Sequence, residues 1–323
     1  MTKFNLGDII SSLSSIPNSH SRDTMVYKIL DEYVKAFISN SNLSSSENAK
    51  VELGDLGTLN FPFQEFGAIN SLDLFGLDEL IIFSYYLVNR RKYKKVADIG
   101  ANIGLHSVIM SLCGWNVLAV EPDPFHMNIL KNNLNLNNLI QHVDTEEAAV
   151  SSVSGELEFV RVVGNTTSSH LAGAKQPYGE LVKFPVKVIA IKDMMKIFDF
   201  IKMDVEGCEW DILSQVKTET LDKFSQIVIE FHDLFPDSSE NRYNEILNSI
   251  NKINKTHQVI HVHANTAGGI PYIIGNLILP SILEVTFLRK STENSFTINN
   301  RQFPTELDQP TFQNWPEIFL GKF

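Results

Sequence analysis

The sequence predicts an α/β protein built on a doubly wound, mostly parallel sheet, with an antiparallel hairpin at one edge and a helical segment in front. Three stretches predict it. Val96 to Gly104 (VADIGANIG) is an apolar run around one acid, Asp98, that ends in a glycine turn and leads into the apolar Leu105 to Leu112. Asn116 to Glu121 (NVLAVE) is a second buried strand closed by an acid. Phe198 to Leu213 (FDFIKMDVEGCEWDIL) repeats the arrangement of strand, acid, glycine turn and helix start. Strands that alternate with helical stretches form parallel sheets, and such sheets bind ligands at the carboxyl ends of their strands.

The elements follow in order. Phe4 to about Asn40 reads as helical; Met25 to Ile38 puts Val26, Ile29, Leu30, Tyr33, Val34 and Phe37 on one face. The Ser/Asn-rich run Ser39 to Asn48 reads as a linker, so a helical segment over 1–48 precedes a larger domain over 49–323. Val51 to Ile69 alternates and is broken by glycine, as in a hairpin or two short strands. Leu74 to Asn89 is expected as a helix, closed by the basic cluster Arg90 to Lys95 at its dipole-favoured end. Pro122-Asp-Pro opens a helix over Phe125 to Leu136. Ala148 to Val150, the ELEFVRVV run up to Val163, and Phe184 to Ile191 read as strands. The polar Gly164 to Gly179 between them is a loop or a lid. A short helix is expected over Lys192 to Ile197, a strand over Gln226 to His232, and an amphipathic helix over Arg242 to Ile253. His257 to Ala264 and Leu283 to Arg289 alternate and suit the antiparallel edge hairpin, with the tail Phe303 to Phe323 along the outside.

The first glycine turn carries the cofactor signal. Gly100 precedes Glu121 by about the 20 residues that place a carboxylate on a ribose diol in a doubly wound sheet. A pyrophosphate loop needs Gly-x-Gly-x-x-Gly. Here Asn102 occupies the middle glycine position and Leu105 the last, with Gly104 just before it. The loop is badly shaped for a nicotinamide dinucleotide and suits S-adenosylmethionine, which has no phosphate. Asp98 and the turn Gly100–Asn102–Gly104 would receive its methionine end and Glu121 its ribose hydroxyls. For the adenine amine Asp144 is one choice, with Glu146 and Glu147 as others.

The other strand ends carry the acceptor signal. Asp204 and Glu206 close one strand and Glu230 and His232 another. A carboxylate at a helix start also serves as a cap, and a buried glutamate can be a structural partner. His232 either acts as general base on an acceptor hydroxyl, with Asp204 orienting it or holding the acceptor, or is a hydrogen-bonded structural histidine. Asp204, Glu230 and His232 together could alternatively hold a divalent metal that lowers the hydroxyl's pKa. His261 and His263 share a strand face, which is more often simply the polar face of a strand than a ligand set.

Composition narrows the classes. With 323 residues, 43% of them hydrophobic, the chain can bury a large core. A net charge of −11 argues against a nucleic-acid surface, which needs clustered Lys and Arg. No stretch approaches the apolar length of a membrane span, and MTKFNLGDII lacks a signal-peptide core. The two cysteines, Cys113 and Cys208, make no disulfide framework. A cytoplasmic protein is expected, as a monomer or a homo-oligomer.

DIGANIG (Asp98 to Gly104), VEPDP (with Glu121), KMDVEGCE (Lys202 to Glu209), IEFH (Ile229 to His232) and HVHANT together resemble the FkbM-type methyltransferases over about Leu74 to Arg289. The resemblance implies a class I methyltransferase fold, S-adenosylmethionine as cofactor and, in many members, a sugar or glycan hydroxyl as acceptor in polysaccharide biosynthesis. Asn102 is usual in that family, and the resemblance implies that His261 and His263 reach the acceptor. The N-terminal helical segment lies outside the resemblance.

Overall fold

The computed structural model describes residues 5–15, 24–44, 49–66, 70–174, 179–194, 198–234, 240–275, 277–291, 302–305, 308 and 316–322. Its elements in chain order are α1 (Leu6–Ser15), α2 (Met25–Ser39), β1 (Lys50–Glu52), β2 (Thr58–Asn60), α3 (Leu77–Asn89), β3 (Lys95–Ile99), α4 (Leu105–Leu112), β4 (Asn116–Val120), α5 (Pro124–Leu136) and β5 (Val143–Glu146). There follow β6 (Ala149–Ser151), β7 (Gly155–Val162), β8 (His170–Leu171), β9 (Leu181–Ala190), α6 (Ile191–Met194), β10 (Phe200–Met203), α7 (Glu209–Gln215) and α8 (Thr218–Leu221). The last are β11 (Gln226–Phe231), α9 (Glu240–Thr256), β12 (His257–Ala264), β13 (Tyr272–Ile274), β14 (Leu277–Leu279), β15 (Leu283–Arg289), β16 (Gln302–Phe303) and β17 (Gly321–Lys322).

The main sheet has seven strands in the order β12-β15-β11-β10-β3-β4-β5. β3, β4, β5, β10 and β11 pair in parallel, while β15 runs antiparallel between β11 and β12. The expected antiparallel edge pair is present, with its second strand on the inner side. Both faces of the sheet are covered, so β3 and β10 are buried almost end to end. Strand order reverses between β3 and β10, and that is where an open α/β sheet forms a crevice.

Side-chain alternation decides what each face carries. On β3 and β10, Ala97, Ile99, Ile201 and Met203 pack into one core, and Val96 and Phe200 into the other. Asp98 and Lys202 share the second face, directly opposite each other in register. The same period puts Glu230 of β11 there too, since Ile229 and Phe231 point the other way. Buried charge is therefore gathered on one face of the sheet near the strand ends.

α1 is part of this core. Leu6, Ile9, Ile10 and Leu13 are buried together with Leu80 and Phe83 of α3, a gain of roughly 2 kcal/mol per side chain before ordering costs. Gly7 allows this approach, because a Cβ there would meet the Gly54 backbone nitrogen at 1.9 Å. α2 is capped by the Thr24 side chain, which accepts from the Tyr27 N–H. Within α2 the structure buries Tyr27 and Val34, whereas Val26 and Ile29 of the expected apolar face are exposed.

One expectation is corrected. α3 starts at Leu77, not Leu74, because extended backbone at Gly76 separates it from a 3₁₀ turn over Asp73–Phe75. The strands between 149 and 190 do not join the main sheet. They form their own, in the order β6-β9-β7-β8. Val51 to Asn60 does form the short antiparallel pair β1–β2, but Gly67 to Ile69 at the end of that stretch lie outside the described residues, as do 45–48, 175–178, 195–197 and much of the tail.

Candidate active site

The cleft lies at the carboxyl ends of β3, β4 and β10 and is roofed by the small sheet. Its empty space, open solvent at the mouth included, is about 600 Å³. Gly100, Asn102 and Glu121 line its β3–β4 side, Asp204, Val205 and Glu206 its β10 side, and Ala149, Val150, Phe159 and Leu171 supply apolar wall.

On the first side the backbone is the functional part. Gly100 sits at φ +80, and a Cβ there would lie 1.7 Å from the Asp204 carbonyl oxygen. The glycine is thus demanded by the neighbouring strand end as well as by the turn. Gly104 is left-handed and caps α4; its missing Cβ leaves room for Leu130. Asn102 is a non-glycine residue at φ +50, a strained position of the kind found at ligand sites. Its N–H donates to Glu121 Oε2 at 2.8 Å, and Asp123 N–H donates to Glu121 Oε1 at 2.9 Å. Burial pushes the Glu121 carboxyl up to about 8 in spite of those two donors. Asp98 Oδ2 accepts from Ser107 Oγ at 2.6 Å, and Lys202 Nζ stands 3.8 Å from Oδ1. Burial disfavours the Lys202 charge, but Asp98, Asp204, Glu230 and Glu79 raise its pKa above the usual value.

The second side is built from side chains of separate segments. Glu206 is held at φ +54 in the turn before α7. Glu209, wholly buried, accepts from the Val205 and Gly207 N–H groups at 3.2 and 3.1 Å and bonds His232 Nδ1 at 3.0 Å. His232 is 2% exposed, and its carbonyl accepts from Trp210 Nε1 at 2.8 Å. Its Nε2 faces Glu206 Oε2 at 3.4 Å and Glu230 Oε1 at 4.0 Å. Burial opposes the imidazolium, yet Glu209, Glu206 and Glu230 lift His232 to about 10. Burial, then Asp204, push Glu230 well above the usual carboxylate range. Asp204, Glu230 and His232 each offer a ligand atom, all within 4.8 Å of one another.

The structure brings together Gly100, Asn102, Glu121, Asp204 and Glu206 in the cleft, with Asp98 beneath the turn and Glu230 and His232 behind Asp204. It does not bring in Asp144, which is exposed on β5 and outside the cleft lining. His261 and His263 also lie elsewhere. His261 Nε2 bonds Asp308 Oδ1 at 2.7 Å, and His263 lies between Glu284 and Glu317, tying the tail to the β12–β15 edge. Sequence reading gave no role to His126, which is buried and bridges Glu121 (3.9 Å) to Thr166 of the roof (3.0 Å). It also gave none to Glu209; the KMDVEGCE motif that contains it was the available signal.

Two buried acceptors at the turn, Asp98 Oδ1 and Asn102 Oδ1, accept no hydrogen bond. A ligand that carries an ammonium and hydroxyl donors fits that deficit.

Residues 98–257 match the family described as the methyltransferase FkbM domain. Methyltransferase sdnD of Sordaria araneosa is 27% identical over 179 residues, which cover 45% of this chain and 69% of that protein. Among solved structures, an O-methyltransferase from Bacillus cereus in complex with SAH is similar at 11% identity and a TM-score of 0.36, over 64% of this chain and 79% of that one. A ribosomal protein L11 methylase from Lactobacillus delbrueckii subsp. bulgaricus is similar at 12% identity and a TM-score of 0.33, over 64% and 78%. The chain carries an FkbM-type methyltransferase domain and is an S-adenosylmethionine-dependent methyltransferase.

Proposed function

From that premise, we propose that the protein methylates a hydroxyl of a sugar, in a nucleotide sugar or glycan precursor. The observation that carries this reading is the shared cleft: Asn102 and Glu121 line its β3–β4 side, Asp204 and Glu206 its β10 side. When bound, S-adenosylmethionine supplies an electrophilic methyl group. In this reading Asp98 and the turn from Gly100 to Gly104 hold its methionine end, and Glu121 accepts from the ribose hydroxyls. The apolar wall of Ala149, Val150 and Phe159 replaces Asp144 as the adenine surface.

Carboxylates accept hydrogen bonds from sugar hydroxyls, and Asp204 Oδ1 is a buried acceptor that receives none within the protein. The lining contains no Lys or Arg among the described residues, so a phosphate of the substrate stays outside the cleft. As the acceptor oxygen gains the methyl group it must lose its proton. His232, already protonated between three carboxylates, is poorly suited to take it unless a positive charge displaces its own. Asp204 is the better-placed base, and a metal beside it is the alternative means of assistance. Within the N-terminal segment, α1 and α2 act as a buttress to the domain over 49–323. A cytoplasmic place in glycan-precursor assembly fits this acceptor.

The test is turnover of S-adenosylmethionine to S-adenosylhomocysteine by purified protein with a panel of nucleotide sugars, oligosaccharides and small amines. Methylated sugar product, lost in Asp204→Asn, is the expected result. Turnover confined to amines would overturn the acceptor class.

A further inference from the structure

We infer that Asp204, Glu230 and His232 form a binding site for one divalent cation of the Mn²⁺ or Mg²⁺ kind, placed to hold the acceptor hydroxyl. The role toward the acceptor rests on the reading above; the ion site itself rests on geometry.

The three residues come from adjacent strand ends. Asp204 follows β10, Glu230 is the fifth residue of the six-residue β11, and His232 follows it; β10 and β11 are parallel neighbours. Their ligand atoms lie within 4.8 Å of one another. An ion with bonds of about 2.1 Å holds its ligand atoms about 3 Å apart side by side and about 4 Å apart when opposite. A small side-chain closure therefore completes the set.

Two further observations point to a ligand there. Asp204 Oδ1 is shielded from solvent and accepts no hydrogen bond, which is costly for a carboxylate in a protein interior. And the imidazole is already oriented as in a metal site. Glu209, itself 0% exposed, fixes Nδ1 at 3.0 Å and leaves Nε2 turned toward Glu206 and Glu230. A carboxylate behind a histidine in this way sets the tautomer of a metal ligand. Asn265 Nδ2 donates to Glu230 Oε1 at 2.8 Å and to Glu284 Oε1 at 3.1 Å, so the Glu230 carboxylate is positioned as well.

The charge balance agrees. Asp204, Glu206, Glu209 and Glu230 lie around one imidazole, and the Lys202 ammonium stands 3.8 Å from Asp98. Two carboxylates with one imidazole suit an oxygen-preferring ion that tolerates nitrogen, and Mn²⁺ meets both conditions. Next to Glu206 and the open cleft, such an ion would bind the acceptor oxygen and make its proton easier to lose.

The experiment titrates Mn²⁺ into chelator-treated full-length protein and reads free Mn²⁺ by electron paramagnetic resonance, with S-adenosylhomocysteine binding measured by calorimetry on the same samples. One ion per chain is expected. Asp204→Asn and His232→Gln should each weaken it by at least tenfold, and Asp144→Asn, exposed on β5 away from the three ligands, by less than twofold. S-adenosylhomocysteine binding that persists in both ligand variants shows that they remain folded. No Mn²⁺ binding, or equal affinity in all variants, overturns the site. If the protein binds S-adenosylhomocysteine but not Mn²⁺, the ion site fails and the methyltransferase reading stands. Turnover confined to amines, with Mn²⁺ bound as expected, removes the sugar acceptor and keeps the ion site.

Discussion

The two sides of the cleft are built by opposite means. On the β3–β4 side, a run of backbone does most of the shaping: Gly100, Asn102 and Gly104 all have positive φ, and main-chain N–H groups of Asn102 and Asp123 fix Glu121. On the β10–β11 side, side chains from three stretches meet: Asp204 to Glu209, Glu230 to His232, and Asn265. The first side is rigid because its chain path is constrained. The second is held by mutual pairing of buried charges, so losing one member strands the others.

The sharpest way to break that contrast is Glu209→Ala. It removes the partner of His232 Nδ1 and the acceptor for the Val205 and Gly207 N–H groups at once. Removing one partner of a buried ion pair costs about 3–5 kcal/mol, so denaturant unfolding should show a loss of that order. A loss below about 1 kcal/mol would mean that the second side is not held by pairing.

Gly100→Ala tests the backbone-built side. Its Cβ would sit 1.7 Å from the Asp204 carbonyl at a φ that non-glycine residues adopt only under strain. A destabilisation of about 2–3 kcal/mol is expected, with S-adenosylhomocysteine binding lost because the turn must move. Unchanged affinity by calorimetry would show that the turn does not shape the cofactor site.

Glu121→Gln gives a smaller effect and a pH signature. The folded-state carboxyl titrates at about 8, above its ordinary 4.5. Its contribution is therefore fully present below about pH 4.5 and is lost as pH rises toward 8, because the unfolded chain releases the proton first. Relative to the Gln variant, the wild-type chain should lose on the order of 2 kcal/mol between pH 6 and pH 8. Parallel melting temperatures of the two proteins across that range would rule out the buried acid as the cause.

These regions also differ in how well the sequence disclosed them. DIGANIG and Glu121 were readable because their partners are 19 residues apart or fewer and the geometry is local. The parallel sheet was readable from apolar strands that alternate with helices. The separate four-stranded sheet was not, since alternation marks a strand without saying which sheet it joins. Asp144 was the wrong choice for the cleft because its position on β5 turns its side chain to solvent. Glu209 was visible in KMDVEGCE, but its bond to His232 spans 23 residues and two elements.

By itself, then, the sequence determined the α/β class, the glycine turn with its ribose acid, and the acids and histidine at the strand ends, because each is set by local periodicity or short spacing. Only the tertiary structure decided that Gly100 must yield to the Asp204 carbonyl, that His232 is held by Glu209 among three carboxylates, and that His261 and His263 brace the tail. Those relations depend on strand order and register, which bring together residues far apart in the chain.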